Sequence, residues 1–108
     1  MKETEKFSKI FKALSNPGRL EIYLKILKSH KADFKTKDAA SSCPLTQLYK
    51  NMKLGAPTLS HHLKELVHAD LVITEKDGKF VSCRANMNTF QQIITLLNKH
   101  SVEQTEKE

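Results

Sequence analysis

Large apolar residues recur at helical spacing along most of the chain and give way to a β-rich pattern in one stretch. Residues 3–14 carry Phe7, Ile10, Phe11 and Leu14 at i, i+3, i+4 and i+7, which predicts a first helix with one apolar face. Asn16 followed by Pro17 is a cap and a first-position proline. Leu20, Tyr23, Leu24 and Leu27 then continue at helical spacing and predict a second helix to about Lys28. From Ser29 to Ser42 the chain is polar and basic with Phe34 as its large apolar residue, and a loop is expected there.

Pro44 opens a short helical pattern through Leu45, Leu48, Tyr49 and Met52, closed by a turn around Gly55. Pro57 starts another helix at once. In it Leu59, Leu63, Leu66 and Val67 share one face, while His61, Lys64, Glu65 and His68 point the other way. Two short helices joined by a tight turn are a helix-turn-helix. Residues 71–76 and 79–85 are β-rich and separated by Asp77-Gly78, a hairpin signal, so a wing follows the second helix directly. A final helix over about Asn88 to Glu103 places Phe90, Ile93, Ile94 and Leu97 on a stripe with Leu96 at its border, and the charged tail after it is expected to fray. The expected fold is mostly α with a small β-wing, a winged helix-turn-helix of about five helices and a two- or three-stranded antiparallel sheet.

Length is consistent with a single domain over residues 1–108, too short for a second catalytic module. Small domains bury a low fraction of their surface, so sharing apolar surface with a second copy is a natural remedy. Lys and Arg number 18 against 12 Asp and Glu, a net charge of +6, which favours a polyanionic partner. No apolar run is long enough to cross a bilayer and the start has no signal-peptide pattern, so a cytoplasmic protein with no membrane partner and reduced cysteines is expected.

A recognition helix fits the major groove, and short polar residues in its first turns can reach base edges. Thr58, Ser60 and His61 meet that demand, and Lys64 one turn on can reach a base or a phosphate. A solvated helix face or a helix cap accounts for each residue equally well. Lys76 and Lys79 flank the hairpin tip, where a wing meets phosphates. His61 and His62 do not suit a metal, because neighbours on a helix diverge by about 100°.

Residues 11–27 and 56–86, with their Thr-Leu-Ser-His-His-Leu run and short-turned wing, resemble the ArsR/SmtB family of winged helix-turn-helix regulators. The resemblance implies a DNA-binding repressor, released from double-stranded DNA by an inducer that the sequence leaves unknown. It also implies a homodimer joined through the first and last helices, which points to Phe7, Ile10, Phe11, Phe90, Ile93, Ile94 and Leu97 as interface residues. A two-fold dimer should read an inverted-repeat operator. Many members sense metals, but Pro44 and Thr46 stand at the family's usual cysteine positions, with Cys43 one residue early. At the second family site His100 and Glu103 match one half, while Met87 and Thr89 replace the Asp and His of the other, so no metal cofactor is expected.

Cys43 falls where a short first strand is common and Cys83 falls on the second wing strand, so the two can face each other at close to disulfide reach. A redox or thiophilic sensor is one reading, and two small buried hydrophobes is the other. A winged-helix module that binds protein and has only non-specific DNA affinity is the alternative function. An enzyme is not expected, since the chain carries no phosphate loop, nucleophile elbow or complete metal set.

Overall fold

The structure, a computed structural model, describes residues 2–32, 43–44, 50, 55–78 and 80–106. Helix α1 spans Lys2–Leu14 and begins with Glu3 and Glu5 at the helix end that favours negative charge. A two-residue link leads to α2, Pro17–Ala32. Here the capping expectation holds in detail: the Arg19 amide donates to Asn16 Oδ1 at 3.0 Å, while Pro17 has no amide to leave unpaired. Then follow β1 (Cys43–Pro44), α3 (Ala56–His68), β2 (Val72–Asp77), β3 (Phe80–Ala85) and α4 (Met87–Glu106). Lys50 is helical, and the rest of the helix expected between Pro44 and Gly55 lies outside the described residues.

Several boundaries differ from the sequence reading, each for a local reason. Helix α2 runs on to Ala32, one turn past Lys28, because Ser29, His30 and Lys31 are polar but not helix breakers. Pro44 belongs to β1 and does not open a helix, since a proline is tolerated on a sheet edge. Asp77 pairs with Phe80, so it closes β2 and is not one of the turn residues. Gly78 takes φ 65°, the left-handed conformation that glycine adopts without strain. Helix α4 starts at Met87 and extends through Glu106, past the point where its charged tail was expected to fray. Its cap is Asn86, whose Oδ1 accepts from the Asn88 amide at 3.2 Å and the Thr89 amide at 3.4 Å.

The three strands form an antiparallel sheet in the order β1-β3-β2. Val72 pairs with Ala85, Thr74 with Cys83 and Lys76 with Val81, so these six share one sheet face. Val72, Cys83 and Ala85 on that face are buried against the helices, and β3 packs on α2. In β1, Cys43 is the direct partner of Cys83. Ile22, Ile26, Leu59, Leu66, Leu71, Val72 and Cys83, all at or below 2% exposure, form the centre of the core. Burying each of the larger side chains stabilises by about 1.5–3 kcal/mol.

Helix α2 turns a different face to this core than its leucines suggested. Ile22, Tyr23 and Ile26 are buried, while Leu20 and Leu24 are exposed. The apolar residues of α2 spread over more than half of its circumference, so spacing alone picks no sharp face.

Candidate nucleic-acid interface

Helix α3 has a sharp division of labour. Leu59, Leu63 and Leu66 are buried in the core and Val67 packs at its edge, as the spacing predicted. Pro57, Thr58, Ser60, His61, Lys64 and His68 are exposed. At 100° per residue Thr58, His61 and Lys64 fall on one continuous outer face, with Ser60 on its flank. The helix begins one residue earlier than expected, at Ala56, with Gly55 as its N-cap in an extended conformation. Glycine supplies no capping side chain and no side-chain hydrogen bond caps this end. Thr58 and Ser60 are therefore not the caps of α3.

The other end of α3 is closed firmly. The Leu71 amide donates to the Leu66 carbonyl at 2.9 Å and the Asp70 amide donates to the Val67 carbonyl at 3.0 Å. Asp70 has φ 62°, which completes a Schellman cap, and Leu71 and Leu66 are both fully buried at it. The Asn86 amide donates to the Leu71 carbonyl at 2.9 Å and ties the end of β3 to the same turn. The recognition helix and the wing thus share one rigid corner.

A polar seam joins α3 to α2. An added Cβ on Gly18 would come within 3.3 Å of His62 Nε2 and 3.4 Å of Asn16 Oδ1, so glycine lets the imidazole lie close against the α2 start. Burial, then the Arg19 guanidinium and then His61 push the His62 pKa down and favour its neutral form. Arg19 donates from its guanidinium to the Ala13 carbonyl at 3.2 Å. The Tyr23 hydroxyl is pushed up to about 12 by burial. Arg19 Nε, Tyr23 Oη and His62 Nδ1 are buried without a hydrogen-bond partner among the described residues. Sequence reading missed this seam: His62 was weighed only as a metal ligand beside His61. The two rings stand 6.1 Å apart and tilted by 49°, which does not converge them on one ion.

On the wing, Lys76 is exposed near the tip and Lys79 lies outside the described residues. Arg84 Nε meets Glu75 Oε2 at 3.3 Å across the two strands on the outer sheet face. This exposed ion pair, also unforeseen, turns an acidic wing position into a neutral one.

The positions at which the family binds metals are occupied as follows. Pro44 sits in β1 and Thr46 lies outside the described residues. Met87 opens α4, and Thr89 is buried with its amide on the Asn86 side chain. His100 is exposed, and the Glu103 side chain lies outside the described residues. Among the described residues no three His, Cys, Asp or Glu side chains gather where an ion could be held.

The profile of the family described as "Bacterial regulatory protein, arsR family" matches residues 39–74. An arsenical resistance operon repressor of Staphylococcus aureus is 34% identical over 94 residues, covering 87% of this chain and 79% of its own. The chain belongs to the ArsR family. It is a DNA-binding transcriptional regulator of the winged helix-turn-helix type, in a family of regulators rather than catalysts. An ArsR-like transcriptional regulator from Rhodococcus has the same fold, with a TM-score of 0.76 at 18% identity over 99% of this chain and 90% of the other. The homodimeric winged helix-turn-helix DNA-binding domain of a Mycobacterium bovis protein superposes with a TM-score of 0.64 at 17% identity, over 96% of this chain and 85% of the other. No described helix of this ArsR-family chain is long and apolar enough to cross a membrane.

Proposed function

We propose that this ArsR-family chain is a homodimeric repressor that acts in the cytoplasm, covers an inverted-repeat operator and leaves it in response to a signal. One observation carries the reading: on α3 a buried Leu59, Leu63 and Leu66 face backs an exposed face of Thr58, His61 and Lys64. The buried face fixes the helix; the exposed one is free to enter a major groove. Thr58, Ser60, His61 and Lys64 read base edges and the adjoining phosphates. Lys76 and Lys79 at the wing tip contact the backbone of the same half-site.

Dimerisation follows from apolar surface left uncovered. Phe11 on α1 is 41% exposed, and Ile94 and Leu97 on α4 are 37% and 53% exposed. Phe7, Ile10 and Ile93 are already buried within the protomer and Phe90 is half-buried, so these four back the interface while the exposed three complete it. A structural neighbour of the same fold is homodimeric, which supports a dimer.

Thiol chemistry is the form of release that the sheet favours, because Cys43 and Cys83 are direct partners between β1 and β3. Joining their sulfurs removes two protons and two electrons, which a diazene oxidant such as diamide takes up. Cys83 is fully buried, so the strands must part for the oxidant to enter.

The experiment is binding of purified protein to its own upstream DNA and to scrambled DNA across a salt series, reduced and then treated with diamide. Tight, sequence-dependent binding supports the repressor, and Lys64→Ala should reduce the slope of log affinity against log salt by about 1. Equal, weak binding to both DNAs would replace it with a protein-interaction module. If Cys43→Ser/Cys83→Ser loses operator on diamide treatment just as wild type does, the thiol switch is wrong.

A further inference from the structure

A groove of about 540 Å³ runs between α1 and α4, away from the DNA-reading face. Its size falls within the roughly 300–1,000 Å³ usual for small-molecule sites. Phe7 and Leu96 form its apolar part. Three ammonium groups, Lys2, Lys6 and Lys99, border it against one carboxylate, Glu3. Lys6 spans the middle: its Nζ donates to Gln92 Oε1 at 2.6 Å and stands 5.8 Å from the centre of the Phe7 ring.

We propose that this groove binds a small aromatic organic anion, and that occupancy lowers operator affinity. An apolar ring would lie on Phe7 and Leu96, and its acid group would displace the Gln92 carbonyl as the acceptor of Lys6, with Lys2 and Lys99 adding favourable charge. Gln92 and Lys99 each follow Phe90 and Leu97 by two residues, which puts them roughly half a turn around α4 from the dimer face. On α4 a ligand therefore sits away from the second copy, whereas on α1 it meets Phe7, which also backs the proposed dimer interface. It bridges the two helices from which the dimer is built, and so can alter the spacing of the two recognition helices. The binding step stands on the groove alone; the effect on operator affinity rests on the repressor reading.

The probe is 8-anilinonaphthalene-1-sulfonate, an aromatic anion whose fluorescence rises in an apolar site. Titration of the full chain without DNA should show one saturable site per chain. The Lys6→Glu/Lys99→Glu variant should bind about tenfold more weakly or worse, and the uncharged N-phenyl-1-naphthylamine should bind wild type similarly poorly. If the charge-reversed variant loses its helical circular dichroism, Lys6→Ala/Lys99→Ala takes its place, with a smaller loss expected. Unchanged affinity in the folded variant, equal affinity for the neutral probe, or several equivalent sites would overturn the anion site. With binding established, operator affinity should fall several-fold at saturating probe in wild type and hold steady in the variant. An operator affinity that ignores bound probe removes the effector role, whereas a chain that binds probe but no operator defeats the repressor reading and leaves the site intact.

Discussion

The two halves of this molecule are finished to different degrees. In the DNA-reading half, α2, α3 and the sheet enclose Ile22, Ile26, Leu59, Leu66, Leu71 and Val72 almost completely. The α1–α4 half has Phe7, Ile10 and Ile93 inside but leaves Phe11, Ile94 and Leu97 in solvent. The first half is closed except at Leu20 and Leu24 on the outer side of α2. The second is part of a core, and its exposed apolar surface is what the proposed second copy would cover. The contrast suits the proposed repressor, in which the reading surface is held firm while the α1–α4 surface sets the spacing between two readers.

That comparison breaks most visibly if the wrong half proves fragile. Leu66→Ala removes a side chain at the corner where α3, the Schellman turn and β2 meet, and should cost about 2–5 kcal/mol in urea unfolding of the reduced protein. A loss below about 1 kcal/mol would mean that the reading half is looser than its burial indicates. Leu97→Glu places a charge on the open face and should weaken self-association by about 2 kcal/mol or more in sedimentation, with the far-ultraviolet spectrum of the protomer retained. Unchanged association would place the dimer contact elsewhere.

Smaller effects sharpen the picture of the rigid corner. Asp70 holds a left-handed backbone without being glycine. Asp70→Gly should raise the thermal midpoint and add about 0.5–1 kcal/mol, since the required conformation costs glycine nothing sterically. The smallest effect concerns pH. In the unfolded chain His62 takes up a proton near the ordinary value of 6.5, while burial, Arg19 and then His61 keep it neutral to lower pH in the fold. The unfolded state then binds more protons, so this contribution is complete above 6.5 and is lost as pH falls through the lower, folded value. Urea midpoints measured between neutral and mildly acid pH should decline, and His62→Gln should flatten the decline.

Much of this was legible in the residues themselves. Asn16-Pro17 gave the start of α2, the leucine spacing of α3 separated its buried from its exposed face, and a glycine in a short turn gave the wing. These are local codes: a cap, a period and a backbone conformation each act within a few residues. The pairing of Cys43 with Cys83 was also foreseen, since strand order in such a sheet leaves few choices. Pattern reading failed where one sequence serves more than one face. The apolar residues of helix α2 spread over a wide arc, and only its packing against β3, α3 and α1 selected Ile22, Tyr23 and Ile26 over Leu20 and Leu24. The groove, the His62 seam and the Glu75–Arg84 pair likewise join residues from separate elements, and no spacing along a chain encodes them. The sequence by itself determined most of the helix and strand segments and which α3 side chains lie on its outer face. Tertiary structure alone decided which apolar surface is covered and which is left exposed, because burial depends on what the rest of the chain brings near.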